Sequence, residues 1–339
     1  MNKAGLRLEA KDSPLASIAM DKQPGLQVAR AVAALGILYF HSWVALVRFA
    51  EGRAYQIPIW TDYGYLAVDL FFAISGYVIC LVVTKPLFSP IPFLIKRVFR
   101  LYPVWLVTLT IFAVLALLWR APTETETWRY FVYSATLLPT KALPFYDVGW
   151  SLQHEIAFYV LAATIVPMAG VPALCAFLLA STIAAHTIEM PWYLSALALR
   201  HSEFLAGILV FILAPRLRSL GVIAPLLLGM GSLYALMTLA GYNYIAPAMF
   251  FLVLAFANLQ SAPKWLVGLG DASYSIYLIH PIVFLIVSAG VSKLVERPLW
   301  LAEPLRTAAM ATIILLALIS YRYIEKPFIR LGSSFAVGL

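Results

Sequence analysis

The sequence predicts an all-α fold: a polytopic membrane helix bundle of about ten transmembrane helices with both termini in the cytoplasm. Three observations carry this. Of 339 residues, 63% are hydrophobic and only 12% are charged. The mean hydropathy of +0.88 is far above that of a soluble globular chain. Apolar runs of span length recur from one end to the other, which a single soluble core does not explain.

The elements follow in order. Residues 1–25 form a polar tail of mixed charge without the apolar stretch of a cleavable signal, so the first span, near 27–49, is expected to direct insertion. The second span, near 64–84, ends before Pro86, and Pro90 and Pro92 precede the third, near 100–119. The stretch "WRYFVYSATLLP" (128–139) is too short to cross a bilayer and is expected to be interfacial or re-entrant. Pro139 and Pro144 then separate it from spans near 151–168 and 171–187. Pro191 precedes a sixth span near 195–213, followed by runs near 222–240 and 244–259. Pro263 marks the break before the last two, near 273–291 and 306–324. One membrane domain over 26–330 and a short cytoplasmic tail over 331–339 result, with no soluble appendage. No internal repeat is evident, which weighs against a transporter built from repeats.

The net charge of +8 does not imply nucleic acid, because basic residues at span ends are the usual means of fixing orientation. An N-terminus inside places more of the 24 lysines and arginines in the cytoplasm than outside, and "KRVFR" (96–100) is the strongest local indication. Cys80 and Cys175 fall inside apolar runs and suggest neither a disulfide nor a metal site. His154, His186 and His201 have no metal-ligand spacing. There is no Gly-x-Ser-x-Gly elbow, Walker loop or dinucleotide fingerprint. No metal and no permanently bound cofactor are expected.

The chemistry lies in polar groups inside spans, which are costly and usually face the bundle interior. Arg30 and His41 are eleven residues apart, close to three helical turns. They share one helix face, about 16 Å apart along the axis. Asp69, Glu155, Arg200 and Glu203 fall at depths similar to that of His41 in the outer half of the membrane. A carboxylate near a histidine fixes its tautomer and raises its basicity, as a general base requires. The structural alternatives are that Asp69 pairs with a cation and that Glu155 favours a helix N-terminus. On the opposite side Arg97 and Arg100 share a face, with Lys96 beside them, and paired guanidinium groups suit phosphates. Positive-inside anchoring is the alternative there. His280 sits near mid-membrane, and Pro281 removes the hydrogen bond to the carbonyl of Tyr277. That arrangement opens a cavity or serves as a packing kink. Arg200, Glu203, His280 and Tyr277 are therefore candidate pore residues. A base, carboxylates and a phosphate clamp on opposite membrane sides suggest group transfer from a cytosolic phosphorylated donor.

With these residues in place, the chain resembles the acyltransferase 3 family of integral membrane acyltransferases over nearly its whole length. The carriers are the Arg30–His41 spacing, "DLFFAISGYVI" (69–79), "KRVFRLYPVW" (96–105), "WSLQHEIAFY" (150–159), "EFLAGILV" (203–210), "ASYSIYLIHPI" (272–282) and "YIEKPFIR" (323–330). Their order makes the match specific, although each block alone is weak in so apolar a chain. The resemblance implies an acyl group, often acetyl, taken from cytosolic acyl-coenzyme A and passed to a hydroxyl of a glycan or lipid-linked saccharide, in a bacterial inner membrane. It implies His41 and Arg30 as the catalytic pair and places Arg97 and Arg100 at the coenzyme end. His154 beside Glu155 departs from the family pattern, and no fused extracytoplasmic domain is expected.

On this reading the partners are acyl-coenzyme A, a saccharide acceptor, membrane lipid and polysaccharide-assembly proteins, with no nucleic acid. His41 would act as base with Asp69 or Glu155 orienting it, or would itself accept the acyl group. A transporter or flippase of a coenzyme-linked or lipid-linked substrate, and a non-catalytic scaffold of polysaccharide assembly, are the other readings.

Overall fold

The structure, a computed structural model, describes residues 23–45, 57–119, 123–124, 126–293 and 299–337. The polar tail expected over 1–25 and the end of the first span at 46–49 lie almost wholly outside these residues. The described residues form helices and their connections, without a strand. In chain order the helices are α1 (Pro24–Ala45), α2 (Pro58–Tyr63), α3 (Ala67–Val83), α4 (Pro90–Trp119), α5 (Trp128–Ala135), α6 (Gly149–Thr187) and α7 (Trp192–Ala198). They continue as α8 (His201–Leu217), α9 (Ile223–Leu239), α10 (Ala246–Ala257), α11 (Lys264–Asp271), α12 (Ser273–Ser292), α13 (Leu299–Ser320) and α14 (Lys326–Val337).

Among the described residues six helical stretches are long and apolar enough to cross a membrane, and α9 and α10 are apolar but shorter. The sequence pattern led to about ten spans, more than these lengths support. One reason is α6. As an unbroken helix its 39 residues would reach about 58 Å, close to twice the thickness of a hydrocarbon core. Gly170 breaks it at φ 80°, a left-handed conformation that an L side chain rarely adopts. The break falls where the apolar pattern divides 151–168 from 171–187. The stretch expected to be too short to span is the short helix α5, whose first turn is capped by the Thr127 hydroxyl accepting from the Tyr130 amide.

Helix α4 shows how the sequence sorts core from lipid. Leu101, Val104, Trp105 and Leu109 are buried, whereas Leu106, Ile111, Val114 and Leu118 are exposed. A helix apolar all round is what a bilayer solvates on one side and a bundle buries on the other. At thirty residues α4 reaches about 45 Å, so its basic first turns extend past the hydrocarbon core. Tyr274 of α12 donates to the Leu101 carbonyl at 2.7 Å. Phe335 of α14 stacks on Phe99 at 5.5 Å. The helix is held on two sides where its arginines lie.

Helices α3 and α8 approach each other backbone to backbone. A Cβ built on Gly207 would lie 1.8 Å from the Ala73 carbonyl oxygen, and one on Gly76 would lie 2.1 Å from that of Phe204. Small residues let two membrane helices meet backbone to backbone, where dispersion replaces the hydrophobic effect that lipid does not supply. Gly207→Ala forces the helices apart and is expected to cost about 1–3 kcal/mol. The check is the midpoint of thermal unfolding in detergent; a wild-type midpoint would show that the crossing gives way freely.

Candidate active site

Buried charge is gathered in two places. The first is a cavity with about 780 Å3 of empty space, part of it continuous with the outside. Its wall carries Arg30 of α1, Ser75 of α3, Arg97 and Arg100 of α4, Glu155 and Tyr159 of α6, and Tyr277 of α12. Arg97 and Arg100 reach it together because residues three apart share a helix face. Lys96, one position earlier, is exposed and is not part of the wall.

The Arg97 guanidinium lies over the rings of Phe93 and Tyr159, at 5.1 and 5.2 Å. Its Nε is buried with no partner. Among the described residues no salt bridge ties Arg30, Arg97 or Arg100. Glu155 accepts from Ser75 Oγ at 3.2 Å and from the Tyr159 hydroxyl. A second carboxylate, not singled out from the sequence, is Glu325. It closes the π-helical turn Tyr321–Glu325, a distortion common at functional sites. Glu325 is buried, accepts from Ser275 Oγ at 2.9 Å, and acts electrostatically on both Arg100 and Arg30. The signal for it was a glutamate at the end of the last apolar run, inside "YIEKPFIR".

From this cavity a line of polar groups leads to His41. Ser151 Oγ, also on the wall, donates to the Tyr277 hydroxyl at 2.9 Å, and that hydroxyl donates to the Val148 carbonyl at 3.0 Å. The Tyr277 ring is 5.8 Å from that of His280, which is 4.8 Å from that of His41. His280 is fully buried, and neither ring nitrogen has a partner. His41 Nδ1 lies 3.0 Å from the Ile37 carbonyl. A carbonyl only accepts, so Nδ1 carries the proton and Nε2 of the neutral ring keeps its lone pair. That is the tautomer a base needs.

The second cluster is Asp69, Arg200, Glu203 and Tyr242. Arg200 Nη1 is 3.3 Å from Asp69 and 3.8 Å from Glu203. The Tyr242 hydroxyl donates to Asp69 at 3.0 Å, and the guanidinium lies 4.3 Å from the Tyr242 ring centroid. Tyr242 sits in the connection between α9 and α10. Burial, and after it the Asp69 charge, pushes its hydroxyl above the ordinary value and keeps it a donor.

This arrangement corrects the sequence reading. Neither Asp69 nor Glu155 orients His41: the first is engaged by Arg200 and Tyr242, the second by Ser75 and Tyr159. Equal depth along the membrane normal did not mean adjacency, because α3 and α6 present these carboxylates to different neighbours. Asp69, Arg200 and Glu203 do not line the cavity, whereas Tyr277 does. The half-buried His154 ring stacks on Phe72 at 5.7 Å, as a packing residue does.

A model of the acyltransferase domain family matches residues 23–322. The exopolysaccharide production protein ExoZ of Rhizobium meliloti (strain 1021) is 26% identical over 295 residues, covering 79% of this chain and 90% of that protein. No solved structure matches this chain.

Proposed function

Because this chain belongs to the acyltransferase 3 family of membrane acyltransferases, we propose that it moves an acyl group, in the first instance acetyl, from cytosolic acyl-coenzyme A to a hydroxyl of a glycan or lipid-linked saccharide. The proposed setting is a bacterial inner membrane. The similarity to an exopolysaccharide production protein supports a polysaccharide acceptor. The observation that supports the donor assignment is the convergence of Arg30, Arg97 and Arg100, with no salt bridge among the described residues, on a cavity whose wall continues through Tyr277 toward His280 and His41. Guanidinium groups gathered on one wall and not held by a salt bridge suit the phosphates of a coenzyme.

In this reading the arginines hold the phosphates and the pantetheine arm extends along the cavity. His41 Nε2 takes the acceptor hydroxyl proton as that oxygen attacks the thioester carbonyl. The tetrahedral intermediate then expels the coenzyme thiolate, which recovers the proton from His41. The His280 ring, 4.8 Å from that of His41, would supply an N–H to the developing oxyanion.

The test follows radiolabel from acetyl-coenzyme A into extractable lipid-linked and polymeric glycans, using membranes that contain the wild type. Label in either fraction supports the reading, and intact acetyl-coenzyme A after prolonged incubation overturns it. Replacing Arg97 and Arg100 together by alanine is expected to raise KM for the donor about 10- to 100-fold, the size of one or two lost charge-assisted hydrogen bonds. An unchanged KM would remove these arginines from the donor site.

A further inference from the structure

We infer that the saccharide acceptor reaches His41 along a track of half-buried rings, Phe40, Tyr65 and Tyr242, with Tyr65 as the platform on which a sugar ring stacks. This rests on the transfer reading above, in which His41 receives the acceptor hydroxyl.

Two substrates must meet at His41, and they need different approaches. Toward His280 the way is enclosed: that residue is fully buried, and the polar line behind it leads back to the donor cavity. His41 is itself half-buried, so part of its ring is open. A second ring in contact with it is that of Phe40, at 5.0 Å. Phe40 meets Tyr65 at 5.6 Å, and Tyr65 meets Tyr242 at 5.5 Å, both edge to face. All three rings are half-buried, unlike those of Trp105 and Phe158, which are sealed in the core. They come from separate segments: α1, the turn before α3, and the connection between α9 and α10. A glycine brings the first two together. A Cβ on Gly64 would lie 2.6 Å from the Gly36 carbonyl oxygen and 2.8 Å from Phe40 Cβ, so Tyr65 follows a residue that presses directly on α1.

The chemistry along the track selects the ligand. A tyrosine offers a flat apolar body and a polar tip. Among the described residues no hydrogen bond occupies the Tyr65 hydroxyl. At the far end the Arg200 guanidinium lies over the Tyr242 ring at 4.3 Å. Arg200 is 14% exposed, whereas Asp69 and Glu203 behind it are 0% and 1% exposed. One guanidinium faces two carboxylates there, a balance that disfavours a phosphate or any other anion. A hydrocarbon chain would leave the hydroxyl and the guanidinium without partners. A neutral sugar suits both. Its C–H face packs on the Tyr65 ring, and its hydroxyls, each a donor and an acceptor, pair with the Tyr65 hydroxyl and the N–H groups of Arg200.

The experiment measures acetyl transfer by protein purified in detergent. It varies the lipid-linked and polymeric glycan extracted from the source membranes, in sugar equivalents, and separately varies acetyl-coenzyme A. Wild type is compared with Tyr65→Ala, Tyr65→Leu, Tyr65→Phe and Tyr193→Ala, each normalised to folded protein by size-exclusion. Tyr193 is an exposed tyrosine of α7 outside the track. Tyr65→Ala is expected to raise KM for the glycan about 5- to 50-fold, the size of one lost stacking contact, with the donor KM unchanged. Tyr65→Leu, which fills the space without a flat face, is expected to behave alike. Tyr65→Phe keeps the ring and is expected to raise the glycan KM only about threefold, the share of one hydrogen bond. Tyr193→Ala is expected to match wild type. A wild-type glycan KM in both Tyr65→Ala and Tyr65→Leu, or a loss confined to folded yield or donor KM, overturns the inference while wild-type transfer upholds the enzyme reading. No transfer by wild type overturns both.

Discussion

His41→Ala is expected to lower acyl transfer by about 10²- to 10⁴-fold, the range for loss of a positioned general base. The side chain is half-buried and its one hydrogen bond is to the carbonyl four residues back in its own helix, so its removal leaves no group on another helix unpaired. Folded yield is therefore expected to stay near wild type, with the loss confined to turnover. Measuring transfer of radiolabelled acetyl and the elution profile in detergent on the same preparation separates the two. Full activity in His41→Ala would assign the ring to packing against His280 and leave the base elsewhere.

Arg200→Met is expected to have the opposite signature, a large loss of folded protein. Asp69 and Glu203 are 0% and 1% exposed and depend on this guanidinium for their charge balance. Removing one partner of a buried ion pair costs about 3–5 kcal/mol, because it leaves charge in a low dielectric with no compensation. Here two carboxylates lose their partner at once. Adding Asp69→Asn and Glu203→Gln to Arg200→Met is expected to recover most of the unfolding midpoint, since neutral amides have no charge to compensate. A single Arg200→Met variant with the wild-type midpoint would show that the cluster contributes little to the fold. Recovery of the midpoint without recovery of transfer would give these residues a part in substrate passage.

The sequence pattern and the structure agree where local physics decides. Periodicity and proline placement located most helices to within a few residues, and the division of α6 was visible as a gap between two apolar runs. Arg97 and Arg100 share a face whatever lies around them, whereas Arg30, read as the catalytic partner of His41, lines the cavity beside them. What failed was pairing between helices. Asp69 meets Tyr242, 173 residues further along the chain, and one helix alone carries no information about which neighbour it faces. Glu325 was passed over for a related reason, since it stands at a span end, where charge is ordinary. Lys96 was included by adjacency, although neighbouring positions on a helix diverge by about 100°.

The cavity's lining of three arginines and one glutamate bears on a danger common to every hollow membrane enzyme. A water-filled recess that lets a large donor reach toward the far side also invites protons and sodium to short-circuit the membrane potential. Fixed guanidinium groups raise an electrostatic barrier to cations, as an arginine does in pores that exclude protons. Arginines that grip an anionic donor in the proposed reading would thus also serve as insulation whenever the cavity stands open.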